Sequence, residues 1–316
     1  MRSILTGAAA ALLACLVPLA PAAAQSGAAA TPATIDIVFN PPLDTPLRYR
    51  VVRDRAARKD WPAVVTNWVE ELHFARAGDG FVAHWRMDPA SLPAEMHAPT
   101  VAPMVAPFTG TPIAFDLDAE GNVLRVRDWP AAQARMMAAV DAAAAIIPAN
   151  ERDRVMPQIR AMFTALTAET APSMLLRNVD PLFGGGGLSM KVGEAIRTPM
   201  AQQVPLLGGS VTMDVTVTLT TAEPGRTATL VSRSEIDPES LKQLMARMVD
   251  RFGTSRDGEK LKREFAEKMP EMLVTEGSTT LIDLPSGMPL RFESRRTAKI
   301  DGKEVPVETL TLSWLH

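Results

Sequence analysis

Four histidines stand in the 316-residue chain: His73, His84, His97 and His316. Imidazole moves protons and holds metals near neutral pH. His73 and His84 fall on the polar face of a predicted hairpin, as diagonal neighbours in the register given below. His97 would add a third ligand for zinc or copper. No carboxylate is spaced to complete such a set, so two solvated histidines are the simpler reading and no metal or other cofactor is assigned. Asp116, Asp118 and Glu120, followed by Gly121, fit the first half of a calcium loop. The closing position holds Arg127, of the wrong charge, and a polar hairpin turn accounts for the segment better. The chain has no Gly-x-Ser-x-Gly elbow and no His-Glu-x-x-His pair. Gly184 to Gly187 lack a following Gly-Lys-Ser/Thr for phosphate, and read as a flexible joint. Trp61, Trp68, Trp85, Trp129 and Trp314 would serve as a ligand wall or, more simply, as core. No catalytic residue is assigned.

Residues 1–24 have the layout of an export signal. Arg2 gives a positive start, an apolar run follows, and Ala22-Ala23-Ala24 precede Gln25. Cleavage after Ala24 is expected, giving a periplasmic or secreted protein. The competing reading is a lipobox, Leu12-Leu13-Ala14-Cys15, with a lipidated cysteine. Cys15 is the single cysteine, so a cleaved chain has neither disulfide nor thiol and relies on a packed core. The charge is 33 basic against 36 acidic residues, which excludes nucleic acid as the main partner. No second apolar run is long enough to span a membrane.

The remaining elements must position whatever site exists. Residues 25–44 are read as an N-terminal tail and 45–316 as one α+β domain. Strands are expected at 46–54, 66–75 and 81–87. The last two form a hairpin through an Asp79-Gly80 turn, with Phe74 opposite Trp85 and Leu72 opposite Met87. Prolines at 89, 93, 99, 103, 107 and 112 limit the next stretch to a covering flap with short helical turns. A hairpin at 112–117 and 123–127 and a helical block at 130–179 follow. In that block Met136, Met137, Val140, Ile159, Met162 and Phe163 mark apolar stripes. After the glycines, strands are expected at 192–204, 210–221 and 226–236. A helix opens at Asp237-Pro238 with Leu241, Leu244, Met245 and Met248 on one face, continued by Leu261, Phe265 and Met269. Strands at 273–284, 288–298 and 305–314 complete the set.

The halves 45–183 and 188–316 look like repeats. Phe115-Asp116-Leu117 with Leu124-Arg125-Val126 echoes Ile282-Asp283-Leu284 with Leu290-Arg291-Phe292. About eleven antiparallel strands with inserted helices resemble the curved, unclosed half-barrel of bacterial lipoprotein carriers and related lipid-binding lipoproteins. Residues 281–296 are also similar to a segment of exported bacterial proteins of like length. The resemblance implies a concave face holding acyl chains under a helical lid. It carries over no functional residue. The expected function is binding of a lipid or other apolar molecule by an exported, non-enzymatic protein. Wall candidates are Trp68, Phe74, Trp85, Met104, Phe108, Met136, Phe163, Met245 and Met248. The alternatives are a structural or partner-binding envelope protein with a filled core, and a hydrolase or metal enzyme.

Overall fold

A computed structural model describes residues 34–43, 45–57, 62–99, 101–204, 209–252 and 272–316. The predicted signal with Cys15, most of the tail, Trp61 and the stripe residues Leu261, Phe265 and Met269 lie outside the described residues. So does the side chain of Met248.

The chain begins with β1 (Thr34–Ile37), β2 (Leu47–Arg55), β3 (Val64–Ala77) and β4 (Gly80–Met87). Short 3-10 turns and α1 (Ala102–Thr109) lead to the hairpin of β5 (Ile113–Leu117) and β6 (Val123–Val126). Next come α2 (Trp129–Ala144), α3 (Ala149–Ala165) and α4 (Pro172–Leu175). β7 (Leu188–Lys191), β8 (Ala195–Val204), β9 (Gly209–Glu223) and β10 (Thr227–Ile236) precede α5 (Pro238–Phe252). β11 (Met272–Asp283), β12 (Met288–Ile300) and β13 (Lys303–Leu315) are last. The large sheet is antiparallel and open, with eleven strands in the order β6-β5-β4-β3-β2-β13-β12-β11-β10-β9-β8. β1 and β7 pair separately. This is the expected α+β fold. No helix of the described residues is long and apolar enough to cross a membrane.

β2-β3-β4, α1 and β5-β6 run outward across the sheet, and β8-β9-β10, α5 and β11-β12 run in the same direction. Both hairpins carry a bulge: Leu124 is the extra residue on β6, and Leu290 is the extra residue on β12. The bulges align Asp116 with Leu281, two residues away from the match that wording alone suggests. A two-residue shift keeps every side chain on its face.

Strand alternation decides what is buried. Leu47, Tyr49 and Val51 on β2 face inward beside Leu72, Glu70 and Trp68 on β3. Met136 and Val140 of α2, Met156 and Phe163 of α3, and Leu175 and Leu176 at α4 close over them. Trp129 donates its indole N–H to the Leu166 carbonyl at 3.1 Å, tying the start of α2 to the end of α3. Pro103 and Pro107 hold α1 to eight residues, as the proline spacing requires.

Three expectations are corrected. The β3–β4 hairpin turns through Gly78-Asp79, so Leu72 faces Trp85, Phe74 faces Ala83, and His73 stands directly opposite His84. Gly78 takes the positive φ (60°) that a two-residue hairpin needs at its first central position. Gly80 serves a different need: any Cβ there would overlap the carbonyl oxygen of Leu117 on β5. The glycine run is also no loose joint. Gly184, Gly186 and Gly187 donate backbone N–H groups to Gly121, Glu120 and Ile37 at 2.9, 3.1 and 2.9 Å. The stretch 34–43, read by sequence as tail, holds β1 and the buried Phe39. The Phe39 ring meets Phe74 and Phe81 edge-on at 5.7 and 5.2 Å. Gly121 and Gly186 are bare where a Cβ would strike Phe39, so these turns close around one aromatic plug.

Candidate functional site

The wall candidates divide into two groups. Trp68, Phe74, Trp85, Met136 and Phe163 are buried in one core cluster, with half-buried Phe108 packed on Trp85 at 5.8 Å between ring centroids. Met104 on α1 and Met245 on α5 are half-buried and stand outside that cluster. The inner face of β2 to β5 is thus filled by the protein's own side chains.

Glu70 sits in this filled half and is completely buried. It occupies the inward position between Trp68 and Leu72, and both indoles donate to it. Trp68 Nε1 reaches Oε1 at 2.8 Å, and Trp85 Nε1 holds Oε2. Burial pushes the carboxyl up to about 7, against the pull of the Trp85 and Trp68 hydrogen bonds. The folded chain therefore holds this proton more tightly than the unfolded one. Its contribution is fully present below the unfolded value of 4.5 and is lost as pH rises through about 7. The window corresponds to about 3 kcal/mol. In Glu70→Gln the stability difference between pH 5 and pH 8 is expected to shrink by about 2–3 kcal/mol, measured by urea unfolding.

The inner face of the second half is built differently. The ribbon of β1 and β7 covers one end, where Ile35, Ile37 and Met190 pack on Leu219, Leu230 and Ile282. α5 covers the far end of β9, where Leu244 lies against Gly209. The stretch of face between them, the trough, leaves Met213, Val215 and Val217 of β9 half-buried. Two rows of side chains run across its floor from strand to strand. The first is Val217, Ser232, Ser278, Ser294, Leu310 and Arg53 on β9, β10, β11, β12, β13 and β2. The second, one step toward α5, is Val215, Ser234, Glu276, Arg296, Glu308 and Arg55. The floor grades from apolar at β9, through hydroxyls, to charge at β12, β13 and β2. Met213, Val215 and Val217 are each half-buried, while Ile196 and Met200 on the edge strand β8 are exposed. Ser232 and Ser278 satisfy each other at 2.7 Å.

The charged end is organised by Glu308. It accepts from Arg53 Nε at 2.8 Å and Arg55 Nε at 3.3 Å. Burial raises the Glu308 pKa, but the hydrogen bond and charge of Arg53, with Arg177 and Arg296, leave it lowered overall. Arg296 pairs with Glu276 at 2.9 Å. The turn after α4 stands over this end: Asn178 accepts from Arg53 at 3.3 Å. Arg177, next to it, is exposed and makes no hydrogen bond or ion pair with a described residue. Desolvation lowers its pKa, and Arg53 repels it. Asp180 is crowded by protein, which raises its carboxyl, with Glu276 adding to the effect.

No protein-family model matches this chain, and no curated protein matches it. Among solved structures it is similar to one of lipid–protein interactions in lipovitellin, with a TM-score of 0.37 and 10% identity over 86% of this chain. The match covers 25% of that structure, so the chain spans about a quarter of its length. A likeness this distant says nothing about the residues of the trough.

Other predicted sites resolve locally. The imidazole rings of His73 and His84 lie 6.2 Å apart on the outer face. Desolvation lowers the His84 pKa, and His73 and Arg127 add to the effect. Among the described residues no three His, Cys, Asp or Glu side chains are grouped to hold a metal. Asp116 is engaged by Arg125 and Arg127 at 2.8 and 2.7 Å. Asp118 accepts the backbone N–H groups of Glu120 and Asn122, so the calcium-like acids hold a hairpin turn. A recess of about 510 Å³ lies over Gly277, lined mostly by outer-face residues such as Val231, Thr279 and Thr311. A second, of about 610 Å³, opens beside Phe81 and Arg125. Sequence reasoning missed Glu70 and the arginine cluster. The signal was present in both: Glu70 interrupts the period-2 set Trp68, Leu72, Phe74, and Arg53 and Arg55 continue the parity of Tyr49 and Val51.

Proposed function

We propose that this protein binds a long apolar chain in the trough of its second half. The carrying observation is the contrast along one sheet face. Between β2 and β5 the face is packed solid, whereas on β9 Met213, Val215 and Val217 keep part of their surface uncovered. Apolar side chains left uncovered between two walls gain by covering an apolar guest. Met245, half-buried on α5, lies on the helix that forms one wall, and Met248 belongs to the same helix. Phe108 and Met104 belong to the α1 cover of the packed half. Export through residues 1–24 is part of this reading, with Gln25 as the expected first residue of the mature chain and lipidated Cys15 as the contrary result. The two halves, 45–183 and 188–316, are read as diverged repeats, one filled and one open.

The test is a titration with a fluorescent fatty-acid analogue. Val215→Asp sets a charge on the trough floor and is expected to weaken binding by about tenfold or more. Val65→Asp, at an exposed outer-face valine, is the control and should bind as the parent does. Equal binding by all three proteins removes the trough from the account.

A further inference from the structure

We propose that Arg177, with Arg53, Arg55 and Arg296, forms a site for the acidic headgroup of an amphiphile whose apolar tail lies along the trough. This rests on the apolar-chain reading above and names the chemical class of the ligand. Four guanidinium groups stand around the carboxylates of Glu308 and Glu276 at the charged end of the floor, and Asp180 lies near Glu276. Glu308 is shared by Arg53 and Arg55, and Glu276 is taken by Arg296. Arg177 is left over. It makes no ion pair with a described carboxylate; Glu308 attracts it, but Arg53, Arg296 and Arg55 repel it, an imbalance that a bound carboxylate or phosphate would relieve.

Position supports the same assignment. The cluster occupies the two floor rows that begin at Val217 and Val215. Neighbouring strands are about 4.8 Å apart, so Arg296 on β12 lies roughly 14 Å from the valines of β9. A long acyl chain covers that span. The serines between them, Ser232, Ser234 and Ser278, grade the floor from apolar to charged, as an ester or hydroxyl region of an amphiphile requires. Arg177 sits on the turn following α4, at the rim, and Arg53 binds Asn178 of the same turn. A headgroup would therefore tie this turn to the sheet.

The experiment compares palmitate, hexadecanol and inorganic phosphate by calorimetric titration of the full chain, with Arg177→Gln as the variant. Arg177 has no described partner to orphan, so the variant should melt as the parent does. The expected result is that the parent binds palmitate more tightly than hexadecanol, and that Arg177→Gln lowers palmitate affinity by about tenfold while leaving hexadecanol unchanged. Equal affinity for palmitate and hexadecanol, unmoved by Arg177→Gln, overturns the headgroup site but leaves the apolar trough standing. Failure of both to bind removes the trough reading itself. Phosphate binding that Arg177→Gln abolishes, with palmitate binding unchanged, overturns the amphiphile assignment in favour of a free oxyanion.

Discussion

Glu70→Ala is expected to destabilise the chain by about 3–5 kcal/mol at pH 5. At that pH the carboxyl is largely protonated in the folded state, so the loss reports packing and hydrogen bonding rather than relief of a buried charge. Removing it leaves the indole N–H groups of Trp68 and Trp85 buried without an acceptor. Each orphaned donor costs roughly 1–3 kcal/mol, and the space vacated beside Tyr49 and Met87 adds a cavity. Glu70→Gln keeps an acceptor for one indole and turns a donor toward the other, so its loss should be about half as large. Urea unfolding at pH 5, followed by tryptophan fluorescence, measures all three proteins. A Glu70→Ala chain as stable as the parent would mean that the two indoles find other acceptors and that Glu70 does not organise the packed half.

Gly287→Ala is expected to cost about 3–4 kcal/mol, a large loss for one added methyl group. Gly287 has φ +69°, a conformation that a side chain resists. Its Cβ would also overlap the Val38 carbonyl oxygen, in the segment that leads to Phe39. That segment is held on the β11–β12 turn by the Asn40 N–H to the Ser286 carbonyl at 2.8 Å. The variant should release Phe39 from between Phe74 and Phe81 and expose β1 to amide exchange. Gly277→Ala is the matched control: it lies inside β11, has no positive φ, and meets nothing within 4 Å. It should change stability by less than about 0.5 kcal/mol. Thermal unfolding with hydrogen exchange on residues 34–43 separates the two.

The fold was largely legible because strand alternation is a local signal. Val211, Met213, Val215 and Val217 alternate with Thr212, Asp214 and Thr216, and their strand pairs with β10 from Met213 to Glu223 and with β8 from Gly209 to Thr218. The Asp301-Gly302 turn was equally plain: both residues take positive φ, 48° and 80°, as a two-residue hairpin asks. The β3–β4 turn was misplaced because Gly78, Asp79 and Gly80 offer two adjacent glycine-containing turns. What decides between them is the approach of Leu117 on a later strand, which no local pattern carries. The glycine run failed for the same reason, since its partners are Gly121, Glu120 and Ile37. The site was the least legible part. Candidates were chosen by size and apolarity, which select packed cores as readily as ligand walls, and five of the nine lie in the packed cluster. The trough is instead defined by what does not cover β9 and by arginines brought together from β2, β12 and the turn after α4. Its rows exist only once β13 pairs with β2, joining residues some 250 positions apart in sequence.

A fatty acid carrying a terminal diazirine, activated by light on the full chain and followed by peptide mapping, locates the apolar tail of the ligand. Adducts are expected on peptides from residues 211–219, 230–236 and α5. Adducts confined to residues 47–117 and α2, or none at all at saturating ligand, would contradict binding in the trough.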